Sequence, residues 1–415
     1  MLVRRQEPER LLAAMPEPRR LLPVNMDQVP AQEILLYLRN RLPEMVTFLQ
    51  ELVVAESPST VPEAQQAVLR PLGEALGRLN YTVRYIPGRH SGGHLYARPR
   101  QRGRRQPIQL VVGHCDTVWP LGTLQTMPLT IEEGIMRGPG TYDMKAGLVQ
   151  MLYAVQALHA LQLDPLVTPV VFINSDEEIG SSESTPYIRR LARIADRALV
   201  LEPSLGVEGK LKTARKGVGG FTVVVKGKAA HAGLNPDGGA SAILELSYVI
   251  QKLFALNDPD RGITVNVGTI AGGLRPNVVA PESRAAVDVR ALTQEDAQRV
   301  EAAIRNLQPV TPGVTLAIDG RIRRAPMEPT PRNQAVWEIA KNLARAIGVN
   351  LAAGAAGGAS DGNTTSLFTA TLDGLGAVGD GAHAPHEFVD LNKMVERGAL
   401  LALLLMAPPV RGESA

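Results

Sequence analysis

Five short blocks carry the histidines and carboxylates that could do chemistry: GHCDT (113–117), GPGTYDMKAG (138–147), NSDEEIGS (174–181), LEPS (201–204) and HAPHEFV (383–389). Each follows a short apolar run or a glycine-rich turn, where open α/β sheets place their binding crevices. Their donors are nitrogen and oxygen only, a set that suits zinc and similar divalent ions. On an extended segment His114 and Asp116 point to one face, so Asp116 can orient the imidazole through its second ring nitrogen. Asp143 stands just before a helix and reads either as an N-cap or as a carboxylate bridging two cations. In an extended chain the neighbours Glu177 and Glu178 project in different directions. One can then hold metal while Glu177 takes a proton from water and passes it to a leaving amine, the metals having lowered the water pKa toward about 7. Glu202 adds a carboxylate, and His383 or His386 a second imidazole. The competing readings are a surface HxD pair, a solvated acidic turn and structural histidines.

Three apolar runs must position these groups: IQLVVGH from Ile108, VVFIN from Val170 and ALVL from Ala198. They read as buried parallel strands with the polar residues at their C-terminal ends. Helical patterns over Lys145 to Leu161 and Tyr187 to Ala195 alternate with them, which predicts an α/β sheet flanked by helices. From about Lys216 the order becomes βαββαβ-like, predicting a smaller α+β unit of the ferredoxin-like kind inserted into the first. The expected organisation is a flexible arm over residues 1–27, a catalytic domain over 28–215 and 326–415, and the insert over 216–325.

Composition narrows the function. The 415 residues are 45% hydrophobic and 20% charged, with 39 Gly and 31 Pro, which is globular and rich in turns. A net charge of +3, from 44 Lys plus Arg against 41 Asp plus Glu, argues against nucleic acid or membrane partners. The one cysteine, Cys115, excludes an internal disulfide and a cysteine-based metal cluster, and is compatible with a reducing, cytoplasmic setting. It sits on a strand beside His114 and should face the other way, into the core.

The blocks, with KAAHAG (228–233), resemble in order the co-catalytic zinc peptidase and deacylase superfamily, which includes glutamate carboxypeptidase, acetylornithine deacetylase and succinyl-diaminopimelate desuccinylase. The likeness runs through nearly the whole chain after the arm. It implies two Zn2+ per subunit, with Co2+ or Mn2+ as substitutes. In that pattern Asp143 bridges, His114 and Glu202 complete one position, Glu178 and His383 the other, and Glu177 is the base. His383 is preferred over His386 because the family's last ligand lies four residues before the glutamate matched by Glu387.

The resemblance also makes 216–325 a lid and dimerisation domain of a homodimer. There His231, with Asn277, would steady the oxyanion of the tetrahedral intermediate. Lys210, eight residues after Glu202, and Arg290 and Arg324 resemble the cationic positions of glutamate carboxypeptidase, while Ser360 falls in a loop similar to the family's Gly-Thr-Asp segment. The implied substrate is an N-acyl or peptidyl amino acid, with glutamate at the C-terminus. A deacylase of another amino acid, and a silent binding protein of the same fold, are the alternatives.

Overall fold

The computed structural model of the protein describes residues 30–103 and 106–410. The arm expected over 1–27 lies outside the described residues. Ile108–His114, Thr168–Asn174 and Ala195–Val200 are buried along their whole length and pair in parallel. Ala370–Leu372 extends them in parallel at one edge, and His94–Pro99 with Tyr81–Ile86 extends them antiparallel at the other, giving six strands. Strand alternation sends Val111, Val171, Ile173 and Leu199 to one face, against the helices Ala31–Val54, Ala146–Ala160, Pro331–Ala346 and Leu391–Met406. Ile108, Leu110, Val112, Val170 and Phe172 face the other way, onto Ile188 and Ala192 of the helix Thr185–Ile194. Each such side chain is stabilised by burial to the extent of about 1.5–3 kcal/mol. The helix Ala146–Ala160 is buried nearly all round, because Ala31–Val54 and Leu391–Met406 pack beside it.

The segment 217–324 has its own sheet and core. Its elements run strand, helix, strand, strand, helix, strand, and the four antiparallel strands lie in the order Thr264–Gly272, Glu282–Ala291, Gly217–Lys226, Thr315–Arg324. Val223, Val225, Val265, Val287 and Val289 meet Leu246, Val249 and Leu253 of the helix Ala242–Phe254 and Val300 and Ile304 of Gln294–Arg305. Ser241 and Thr293 cap those helices by accepting the backbone N–H groups of Leu244 and Asp296.

Two smaller pairings matter for the site. Leu211–Arg215 runs parallel to Ala353–Ala356, just after Glu202. A small sheet joins Phe388–Asp390 to Ile135–Arg137, which sets HAPHEFV beside GPGTYD. Among the described residues no helix is long and apolar enough to cross a membrane.

Candidate metal centre

His114 ends the central strand, and its ring points out of the sheet. Its Nδ1 lies 2.9 Å from the Asp116 carbonyl oxygen and 3.4 Å from the Asp116 carboxylate, so the backbone holds the ring as much as the side chain does. Nε2 then faces Asp143 Oδ1 at 3.3 Å and Glu202 Oε1 at 3.5 Å. On the far side of Asp143, His383 Nε2 lies 3.5 Å from Oδ2 and 3.0 Å from Glu178 Oε2. The structure thus brings His114, Asp143, Glu178, Glu202 and His383 into one cluster, with Asp143 between two histidine–glutamate pairs. His383 holds its place with φ of 60°, a conformation uncommon outside glycine.

The donor set suits cations. His114 Nε2 and Asp143 Oδ1 are buried and have no hydrogen-bond partner, although unpaired buried polar atoms are costly. His114, Asp143 and Glu178 place ligand atoms within 4.8 Å of one another, as do His114, Glu177 and Glu202. The carboxylates of Asp143 and Glu178 beside the His383 ring push its pKa up to about 10. Burial opposes charge on His114, yet Asp116, Asp143 and Glu202 raise its pKa well above the ordinary value. Positive charge is therefore drawn to the points where a divalent ion would sit.

The adjacent glutamates diverge as expected, but they do so on a turn rather than an extended segment. The turn is fixed by Asp116, whose Oδ1 accepts the Glu177 N–H and Oδ2 the Glu178 N–H, both at 3.2 Å, while Ser59 donates to Oδ2 at 2.7 Å. Glu177 Oε1 meets Arg324 Nη1 at 2.7 Å, and Arg324 Nη2 donates to Ser181 Oγ at 2.7 Å. Burial pushes Glu177 up to about 8 despite Arg324, and Glu178 up to about 7 despite His383.

Other expected residues lie elsewhere. Lys210, half-buried, pairs with the exposed Glu208 at 2.7 Å, whereas Lys212 is buried near Arg215, Asp373 and Glu202. Arg290 pairs with Asp288 at 2.9 Å and donates to the Gly357 carbonyl. His231 Nδ1 accepts the N–H groups of Gly233 and Leu234, and the exposed Asn277 gives its carbonyl to Ala232. Ser360 has no exposure, and its hydroxyl donates to Asp373 at 2.6 Å. Cys115 is buried in the core, and burial raises its thiol pKa.

Three supporting groups escaped sequence reasoning. Glu387 is fully buried, and Trp119 Nε1 and the N–H groups of Gly140, Tyr142 and Asp143 all donate to it, which fixes the turn that carries Asp143. Arg215 and Asp373 form a buried pair beside Glu202. Glu387 stands in the HAPHEFV block and Asp373 is the one charge in ATLDGLG, whereas Arg215, between Lys212 and Lys216, carries no sequence signal that separates it from a surface arginine.

The fold and the site define a hydrolase with a histidine–carboxylate centre able to hold divalent metal. The chain belongs to Peptidase family M20/M25/M40, whose profile matches residues 110–407. It is 26% identical over 375 residues to carboxypeptidase G2 of Pseudomonas sp. (strain RS-16), covering 88% of this chain and 89% of that protein. It is 30% identical over 251 residues to acetylornithine deacetylase of Myxococcus xanthus, covering 57% and 64%. Among solved structures, aminopeptidase PepT of Bacillus cereus superposes with a TM-score of 0.74 at 21% identity, over 88% of this chain and 98% of that one. The M20 family metallo-carboxypeptidase Sso-CP2 of Sulfolobus solfataricus gives 0.67 at 16% identity, over 88% and 98%.

Proposed function

We propose that the protein is a two-zinc hydrolase that cleaves the amide bond of an N-acyl or peptidyl amino acid and releases a C-terminal glutamate. The observation that carries the two-metal reading is the pair of unpartnered buried atoms, His114 Nε2 and Asp143 Oδ1, facing each other at 3.3 Å within the five-residue cluster. Zinc bound there supplies Lewis-acid polarisation of the scissile carbonyl and a lowered water pKa. Glu177 accepts the proton of the attacking water and transfers it to the leaving nitrogen, so that amide plus water gives carboxylic acid plus amine. Asp116 keeps Glu177 and Glu178 in their divergent poses through their backbone N–H groups. Segment 216–325 is the lid and dimerisation unit in this reading, with His231 and Asn277 serving the oxyanion of a neighbouring copy. The setting is cytoplasmic.

The glutamate preference is supported by cations near the cluster, Lys212 and Arg324, which would attract an acidic substrate. A second reading, deacylation of a different amino acid as in acetylornithine deacetylase, is favoured by one observation: Arg324 is engaged by Glu177 and Lys210 by Glu208.

Turnover of N-acetylglutamate, aminobenzoyl-glutamate, N-acetylornithine and N-acetylmethionine, with and without chelator and beside Glu177→Ala, tests both. Glutamate release that chelator abolishes and the variant loses by about 10²-fold or more supports the first reading. Turnover of only the ornithine or methionine substrate selects the second, and full activity in Glu177→Ala refutes the mechanism.

A further inference from the structure

Glu202 and Glu178 occupy equivalent places on either side of Asp143, yet their second oxygens meet different surroundings. Both oxygens of Glu178 face His383 Nε2, at 3.3 and 3.0 Å. Glu202 turns Oε1 toward His114, while Arg215 Nη2 donates to its Oε2 at 2.9 Å. Arg215 is 3% exposed and is itself held: Nε and Nη2 donate to the two oxygens of Asp373 at 2.7 and 3.0 Å, and Nη1 to the Gly358 carbonyl at 3.1 Å. Asp373 has no exposure and also accepts the Ser360 hydroxyl.

The charges of this group explain its composition. A lone buried arginine beside Glu202 would cancel the carboxylate and weaken its attraction for a dication. Asp373 restores the balance, so arginine and two carboxylates leave one net negative charge, and the open oxygen for it is Glu202 Oε1. The planar fork of Arg215 holds both oxygens of Asp373 and one of Glu202 in a fixed geometry, which the compact ammonium of a lysine does not reproduce.

We infer that Arg215 is a positioning residue that restricts Glu202 to one metal-binding oxygen and so makes the two metal positions unequal. The position at His114 and Glu202 is built on single-oxygen ligation by its glutamate. The position at His383 and Glu178 has a glutamate free to use both oxygens. Ser360 thereby acts through Asp373 rather than on substrate. This inference rests on the two-metal reading above.

The test is Zn2+ and Co2+ binding by equilibrium dialysis with elemental analysis, together with Co2+ absorption spectra, for the full chain, Arg215→Lys and Asp373→Asn. Wild type is expected to take up two ions. Arg215→Lys should lose about 10–100-fold in affinity at one position and keep the other. Its Co2+ spectrum should change, since ligand geometry at one ion is altered. Asp373→Asn, which keeps Arg215 and the side-chain shape, should lower the same affinity by a smaller factor, and it decides the question if Arg215→Lys fails to fold by circular dichroism. Wild-type affinities and spectra in the folded variants, or equal loss at both positions, would overturn the inference. Uptake of one ion by wild type would sink the two-metal reading instead. In that case an unchanged Co2+ spectrum in Arg215→Lys, or in Asp373→Asn if Arg215→Lys does not fold, overturns the role of Arg215 as well.

Discussion

Replacing Glu387 by glutamine tests how far the centre depends on one buried carboxylate that touches no metal position. Oε1 accepts the N–H groups of Tyr142 and Asp143, at 2.9 and 3.1 Å, and Oε2 accepts Trp119 Nε1 and the Gly140 N–H, at 2.8 and 2.9 Å. Glutamine keeps one of these oxygens and presents an NH2 group to the other two donors. Two hydrogen bonds to a charged acceptor, at about 1.5–3 kcal/mol each, amount to about 3–6 kcal/mol. Burial raises the pKa of Glu387, which means the ionised form is disfavoured at its site, so the lower end, about 3 kcal/mol, is expected. At about 1–2 °C per kcal/mol for a chain of this size the melting temperature should fall by about 3–6 °C. Metal affinity should fall about 10-fold or more, because the Asp143 backbone loses its anchor. Thermal melts, metal titration and tryptophan emission read the three consequences. Trp119 reports the lost bond, and Trp337, in the distant helix Pro331–Ala346, serves as internal reference. An unchanged melting temperature together with wild-type metal affinity would refute the reasoning.

Two further predictions concern other parts of the chain. A Cβ at Gly376 would collide with the Leu201 carbonyl oxygen, directly before Glu202, so Gly376→Ala should cost about 1–3 kcal/mol in a denaturant melt and weaken metal binding; a neutral result in both would show that the backbone there is not held. Glu245 accepts the Val310 and Thr311 N–H groups; burial opposes its ionisation, but these bonds and Thr311's side chain hold its pKa below the usual carboxylate value. Its stabilisation is therefore present above the unfolded pKa, about 4.3, and is lost as pH falls through the lower folded value. Glu245→Gln should flatten that acid dependence, measured as melts between about pH 5 and 3, and parallel curves for the two proteins would contradict it.

The histidine–carboxylate cluster was legible because its residues follow short apolar runs or glycine-rich turns, and both are local signals. His114, Glu202 and the Glu177–Glu178 pair were found that way. What supports them was not, because Arg215 meets Asp373, and Glu387 meets Asp143, across 158 and 244 residues of chain. A buried arginine in TARKG and a surface one are the same letter. Lys210 and Ser360 illustrate the converse: the family resemblance implied a substrate role for both, but a short turn pairs Lys210 with Glu208, and full burial gives Ser360 to Asp373. The three central parallel strands, the helices that alternate with them and the strand–helix order of 217–324 followed from apolar patterning, whereas the helices Ala31–Val54 and Pro62–Arg78 and the antiparallel edge strands were not read, and the turn at Glu177 was missed because Asp116, not local propensity, closes it.

Cys115 gives the chain a practical property. It is the only cysteine, it has no exposure, and burial suppresses its thiolate. Thiol-directed probes, which need an accessible thiolate, should pass over the native protein. A cysteine introduced at Leu234, 83% exposed on the 217–324 unit, would then be the single labelled point, and a dye or spin label placed there would report whether that unit moves during turnover, without background from the rest of the molecule.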